Sequence, residues 1–162
     1  QISLQQENTK LPKFMRFGWI GAYGEGWALY CESLGSEFGL YTDPYQKMGY
    51  LSDQMLRAVR LVVDTGIHTG KMTREDAIQY YLNNISDSEE GATAAIERYM
   101  AIPGQALGYK IGSLKFLELR AKYQKELGKK FSLAKFHDEI LNQGCLPLSV
   151  LERKMELWAK KQ

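Results

Sequence analysis

No stretch of this chain stays apolar for anything near the ~20 residues that a helix needs to cross a bilayer. Histidine and cysteine are scarce, with two of each in 162 residues. His68 and His137 are not spaced as metal ligands, either from each other or from a glutamate, so no HExxH motif is present. Cys31 and Cys145 make no C-x-x-C pair, and spacing leaves open whether they are separate thiols or a disulfide. The net charge is only +2, with Lys and Arg spread along the chain. That excludes the concentrated basic face of a nucleic-acid binder. The P-loop, the G-x-S-x-G elbow and the dinucleotide fingerprint are also missing. No apolar-polar alternation persists, which excludes a sheet. No signal-peptide pattern opens the chain. It begins at Gln1 rather than methionine and is expected to be a portion of a longer protein.

Helical periodicity is what the sequence does have. Hydrophobic residues make up 44% and charged residues 25%, an ordinary globular mixture. A chain near ~150 residues buries roughly 68–70% of its unfolded surface, enough for a real core. Residues 1–8 read as the end of a helix and residues 11–23 as a loop. A helix follows from about Gly24 to Phe38, stopped by Gly39. The longest helix starts at Asp43, an N-cap with Pro44 behind it, and ends at Gly66 to Gly70. Met48, Leu51, Met55, Val59 and Val62 form its expected core stripe. Thr73, Ser88, Pro103–Gly104, Ser132 and Pro147 open five more. The expectation is a single all-α domain over residues 1–162, a bundle of about seven helices.

Four groups of residues could carry chemistry. Glu25 and Glu32, seven apart in "GEGWALYCESLGSE", share one helix face. An unpaired carboxylate on an apolar face is costly. Either both glutamates face water or a cation, metal or arginine, meets them. The glycines around Glu25 allow a backbone or a ligand to come close. On the long helix Asp53, Arg57, Arg60, Asp64 and His68 form a charged stripe. It is either a solvated row of i,i+4 ion pairs or a cleft wall facing an anion. In "RYMAIPGQALGYKIG", Gln105 and Tyr109 are i,i+4 neighbours and Lys110 follows. The Pro-Gly start leaves backbone N–H groups that suit a carboxylate, or it is a plain cap before a half-buried tyrosine. His137, between Phe136 and Ile140, reads as a packed, hydrogen-bonded histidine.

Four segments then stand out together: "YGEGWALYCESLGSEFGLY", "RAVRLVVDTGIHTGKMTREDAIQYY", "ERYMAIPGQALGYKIGSLKFLELR" and "FHDEILNQGCLPLSVLE". In this order they resemble the bacterial family known as domain of unknown function 885, which looks like a set of helical gluzincin-type zinc metallopeptidases. In that family a His-Glu-x-x-Pro-Gly-His-His-x-Gln motif brings two histidine ligands and a general-base glutamate. A Glu-Gly-Trp-Ala-Leu-Tyr motif brings the third ligand. The second motif is Glu25 to Tyr30 here, and Gln1 matches the closing glutamine of the first. The resemblance therefore implies that this chain is the C-terminal part of a zinc-dependent peptidase acting on a peptide substrate. Glu25 would be a zinc ligand, with Glu32, Arg60 and Asp64 behind it. Tyr109 would be the oxyanion donor, and Arg57, His68, Gln105 and Lys110 would hold the substrate. Lacking the histidines, the chain alone is expected to bind no zinc, to be inactive, and to expose a groove through which two copies could pair as a homodimer. The family also implies a periplasmic or lipid-anchored envelope location. The competing reading is a non-catalytic helical binding or structural module of an envelope protein. The residues that precede Gln1 discriminate the two.

Overall fold

The computed structural model describes residues 1–162. It is all-α, with nine helices and no strand: α1 Ile2–Glu7, α2 Lys13–Phe17, α3 Gly21–Glu37, α4 Pro44–His68, α5 Arg74–Asn84, α6 Glu89–Ala101, α7 Leu107–Leu127, α8 Leu133–Leu141 and α9 Leu148–Ala159. The seven expected segments are α3 to α9. The added helices are short: α1 lies where a helix end is expected, and α2 lies inside the expected loop.

Caps explain most boundaries. The Asp43 side chain accepts from the Tyr45 N–H, and Gln46 reaches back to the cap backbone, which closes a capping box on α4. Thr73 and Asp76 make the same box on α5. Ser88 and Ser132 each accept from the backbone N–H three residues on. Gly39, Gly70 and Gly144 end helical stretches at positive φ, where a Cβ would be strained.

The chain divides into two compact units, residues 1–30 with 111–162, and residues 31–110. Helices α3 and α7 each begin in one unit and end in the other.

In the first unit Tyr23, Tyr30 and Phe116 are fully buried and in ring contact, with centroids 5.5–5.9 Å apart. The Tyr23 hydroxyl donates to the Ile140 carbonyl at 2.6 Å, and burial pushes its pKa up. Gln5 is buried, and its amide nitrogen donates to the carbonyls of Met15 (2.6 Å) and Gly18 (2.8 Å). These bonds tie α1 to α2. His137 bonds the Tyr30 hydroxyl at 2.8 Å and packs edge-on against Trp27, the packed histidine expected. Cys145 in this unit and Cys31 in the other are free thiols.

The second unit has its own core of Val59, Val63, Ala77, Ile78, Tyr81, Ala92, Ile96, Tyr99 and Ala106. Here the expected stripe of α4 needs correction. Met48, Leu51, Met55 and Val62 are 41–65% exposed, and Val59 alone of the five lies in the core. The face that packs is Leu56, Val59, Val63 and Ile67. Both rows have helical spacing, so periodicity alone does not choose between them. Gly66 does not end α4. It is buried within it, and a Cβ there would strike Met72.

Two backbones approach closely at Gly26 of α3 and Gly112 of α7 in the first unit. A Cβ on Gly26 would land on the Gly112 backbone, and one on Gly112 would strike the Ala22 carbonyl. Overpacking of this kind costs about 1–3 kcal/mol or more. Gly26→Ala is therefore expected to lower the urea unfolding midpoint by at least that equivalent, whereas Gly49→Ala, with nothing within 4 Å, leaves it unchanged or raises it.

Candidate functional site

The charged stripe of α4 does not simply face water. Asp64 is buried, and both its carboxylate oxygens accept from the Gly104 N–H at 3.1 Å. Gly104 stands at φ +78 in a turn closed by Gln105 N–H to the Ile102 carbonyl at 3.3 Å. With Pro103 before it, this is the arrangement in which Pro-Gly fits a type II turn. The free amide at the Pro-Gly start does meet a carboxylate, and that carboxylate is the protein's own. His68 joins the same contact, 3.8 Å from Asp64 and 3.1 Å from the Tyr99 carbonyl. It is engaged with the protein at the end of α6.

This turn sets the start of α7, and so Gln105, Tyr109 and Lys110. Two guanidinium groups lie over the Tyr109 ring, Arg57 at 5.1 Å and Arg60 at 5.2 Å from its centroid. Such contacts add roughly 0.5–1 kcal/mol each where exposed and more where desolvated. Arg60 is held further by its Nε donating to the Tyr99 hydroxyl at 2.9 Å. The Lys110 ammonium donates to Gln54 at 2.8 Å, and burial pulls its pKa down.

The two arginines differ in their partners. Arg57 sits 3.8 Å from Asp53 and within the field of Glu32. The Glu32 pKa is raised, first by burial, then by Asp53, against the pull of Arg57. Arg60 makes no ion pair. It lines a pocket of about 340 Å³ with Ala94, Ala95, Arg98, Tyr99, Gln105 and Tyr109. Of the expected site residues, Arg57, Arg60, Gln105 and Tyr109 are thus brought together, Asp64 and His68 support them from behind, and Lys110 is tied to Gln54.

Arg98 and Tyr99 join this group without having been expected. Both stand in the quoted "RYMAIPGQALGYKIG", five and four residues before the Pro-Gly turn that folds them back beside Gln105. The Pro-Gly turn is legible in the sequence, whereas the contact that its reversal of direction creates is not.

Glu25 lies in the first unit. It is half-buried and has no hydrogen bond or ion pair. It lines a pocket of about 370 Å³ with Gln1, Ile2, Ser3, Trp19, Gly24, Trp27 and Ala28. Its flanking glycines admit protein. A Cβ on Gly24 would collide with the Trp19 ring, and Gly26 meets the Gly112 backbone. These contacts fix the helix turn that carries the carboxylate. No group of three His, Cys, Asp or Glu side chains in the chain is close enough to hold a metal ion, and no helix is long and apolar enough to cross a membrane.

The family model described as "Bacterial protein of unknown function (DUF885)" matches residues 1–155. The chain belongs to this family. A solved structure named "putative lipoprotein from Colwellia psychrerythraea" is similar to it at 47% identity and a TM-score of 0.97 over the whole chain. The chain spans 28% of the length of that relative. No curated protein matches the chain significantly.

The Glu32 environment has a pH consequence. A carboxyl group whose folded pKa is raised destabilises the fold when ionised, at pH values above that folded pKa. The cost disappears as pH falls below the unfolded value near ~4.3. Glu32→Gln is expected to raise the urea midpoint at pH 7 and to leave it equal to the parent's at about pH 3.5, read by unfolding at both pH values.

Proposed function

We propose that this chain is the C-terminal part of a zinc-dependent peptidase, to which it supplies one metal ligand and the side chains that hold the substrate. One observation carries the reading. Glu25 is a half-buried carboxylate without a partner, on a helix turn fixed by Trp19 and Gly112, and it opens on a pocket. Desolvating a carboxylate is unfavourable unless a cation meets it.

Glu25 suits the part of a single carboxylate donor. The chain does not complete a metal site by itself. The remaining ligands and the general base would come from another part of the longer protein, in keeping with the 28% of the solved relative that this chain spans. Zinc held by Glu25 and two histidines from outside this chain would polarise a carbonyl and activate a water.

The chain's own contributions lie in its side chains. Arg57, Arg60, Gln105 and Lys110 supply donors for substrate. Tyr109 supplies a phenol that makes no hydrogen bond to the protein and so is available to a developing oxyanion. Asp64 and His68 position the turn before Gln105, and Glu32 shares Arg57 with Asp53. We extend the envelope location to this protein from its resemblance to the Colwellia protein.

In the intact protein Glu25→Gln should lower zinc affinity more than Glu32→Gln, because the amide removes a ligand charge. Losses behind the ligands are typically ~10–100-fold. Metal titration of both variants checks this, and equal affinities count against the ligand role. Tyr109→Phe should lower kcat by about 10²–10³ with little change in KM, the usual loss for one oxyanion donor. Wild-type kcat assigns the ring to packing against Arg57 and Arg60. If the intact protein binds no zinc and cleaves no peptide, the chain belongs to a non-catalytic helical module.

A further inference from the structure

The pocket walled by α4, α6 and the start of α7 holds two guanidinium groups and no carboxylate. Arg60 and Arg98 line it, and neither makes an ion pair. The nearby acids are engaged elsewhere: Asp64 bonds the Gly104 N–H, Asp53 lies beside Arg57, and Glu97 bonds Arg74 at 2.6 Å. Arg60 is held on both sides, by the Tyr99 hydroxyl and by the Tyr109 ring, so little of its freedom remains to be lost when it binds something. Guanidinium groups present paired N–H donors that match the two oxygens of a carboxylate. Gln105 adds an amide that can pair with a peptide group, and the phenol of Tyr109 adds a further donor. Ala94 and Ala95 supply the apolar part of the lining, and Tyr99 completes it. A volume of about 340 Å³ sits at the small end of ligand pockets, ~300–1,000 Å³.

From these features we infer that the pocket is a carboxylate-binding subsite that takes the free C-terminal end of a short peptide. Arg60 and Arg98 hold the carboxylate, Gln105 pairs with the last peptide group, and the alanine wall takes the side chain. A bare phosphate makes no use of that apolar wall. The peptide character of the ligand rests on the peptidase reading, whereas the affinity for an organic carboxylate does not. Tyr109 is a wall of this same pocket. If it also serves the oxyanion, the bond cleaved lies close to the peptide's C-terminus, and the parent enzyme trims peptide ends and does not cut within long chains.

The test is an NMR titration of the purified, metal-free chain with N-acetyl-Ala-Ala, with its C-terminal amide, and with inorganic phosphate. The free acid is expected to bind saturably and to shift the Tyr109 and Gln105 resonances. The amide should bind at least about tenfold more weakly, since it lacks the charge that makes such hydrogen bonds strong. Arg60→Gln and Arg98→Gln should each cost a similar factor, with partial rescue by Arg98→Lys. Equal binding of acid and amide, phosphate binding more tightly than the acid, or no saturable binding of the acid overturns the proposal. If Arg60→Gln unfolds, the comparison of acid with amide on the unaltered chain still decides it. Because no metal and no turnover enter the measurement, the subsite and the zinc reading can fail separately. Loss of zinc in Glu25→Gln without discrimination between acid and amide removes only the subsite.

Discussion

The bond from the Gly104 N–H to the buried Asp64 carboxylate governs the second unit. A buried carboxylate needs donors, and this one meets a backbone amide that a Pro-Gly turn leaves free. The pairing attaches the connection between α6 and α7 to the C-terminal part of α4. Tyr99, Gln105 and Tyr109 are thereby brought to Arg60 and Arg57, which stand one and two turns before Asp64 on α4. The cation–aromatic stack and the anion-receptive pocket both follow from that one attachment. Charge-assisted bonds of this kind are worth about 1.5–3 kcal/mol, a large share of a domain's marginal stability.

Most of the helical architecture was legible because its signals are local. Asp43 with Pro44, Thr73 with Asp76, and the serines at 88 and 132 act within one turn, so sequence neighbours suffice to place them. The stripe on α4 shows the limit. Met48, Leu51, Met55 and Val62 have helical spacing and apolar side chains, yet they lie outside the core that Leu56, Val59, Val63 and Ile67 join. A helix with two apolar rows has to be assigned a buried face by its neighbours, and those are far away in sequence. Residues 13–17 were hidden for a different reason. Helix α2 has five residues and no side-chain cap, so neither periodicity nor capping marks it.

The site was partly legible in the same sense. Arg57, Arg60, Gln105 and Tyr109 do meet, because Arg57 and Arg60 lie one turn apart on α4, and Gln105 stands in the turn that leads into α7, four residues before Tyr109. Arg98 is not legible in this way, because its proximity depends on chain reversal at Gly104. The glycines beside Glu25 leave room for a backbone or a ligand to come close, and that room is taken by the α7 backbone and by Trp19. Their effect on Glu25 is indirect, since they hold still the turn that carries it. A carboxylate fixed in this way, half-buried and unpaired, is a feature that sequence can raise as a question and that only a structure can describe.

The attachment of Gly104 to Asp64 is testable without any assumption about activity. Amide hydrogen exchange of ¹⁵N-labelled chain reports each backbone N–H separately. The account predicts that the Gly104 amide is strongly protected although its residue is exposed at the surface, that Asp64→Ala removes that protection, and that the Tyr109 ring resonances shift in the same variant while those of Tyr23 do not. A Gly104 amide that exchanges in the unaltered chain at the rate of an open loop would contradict it.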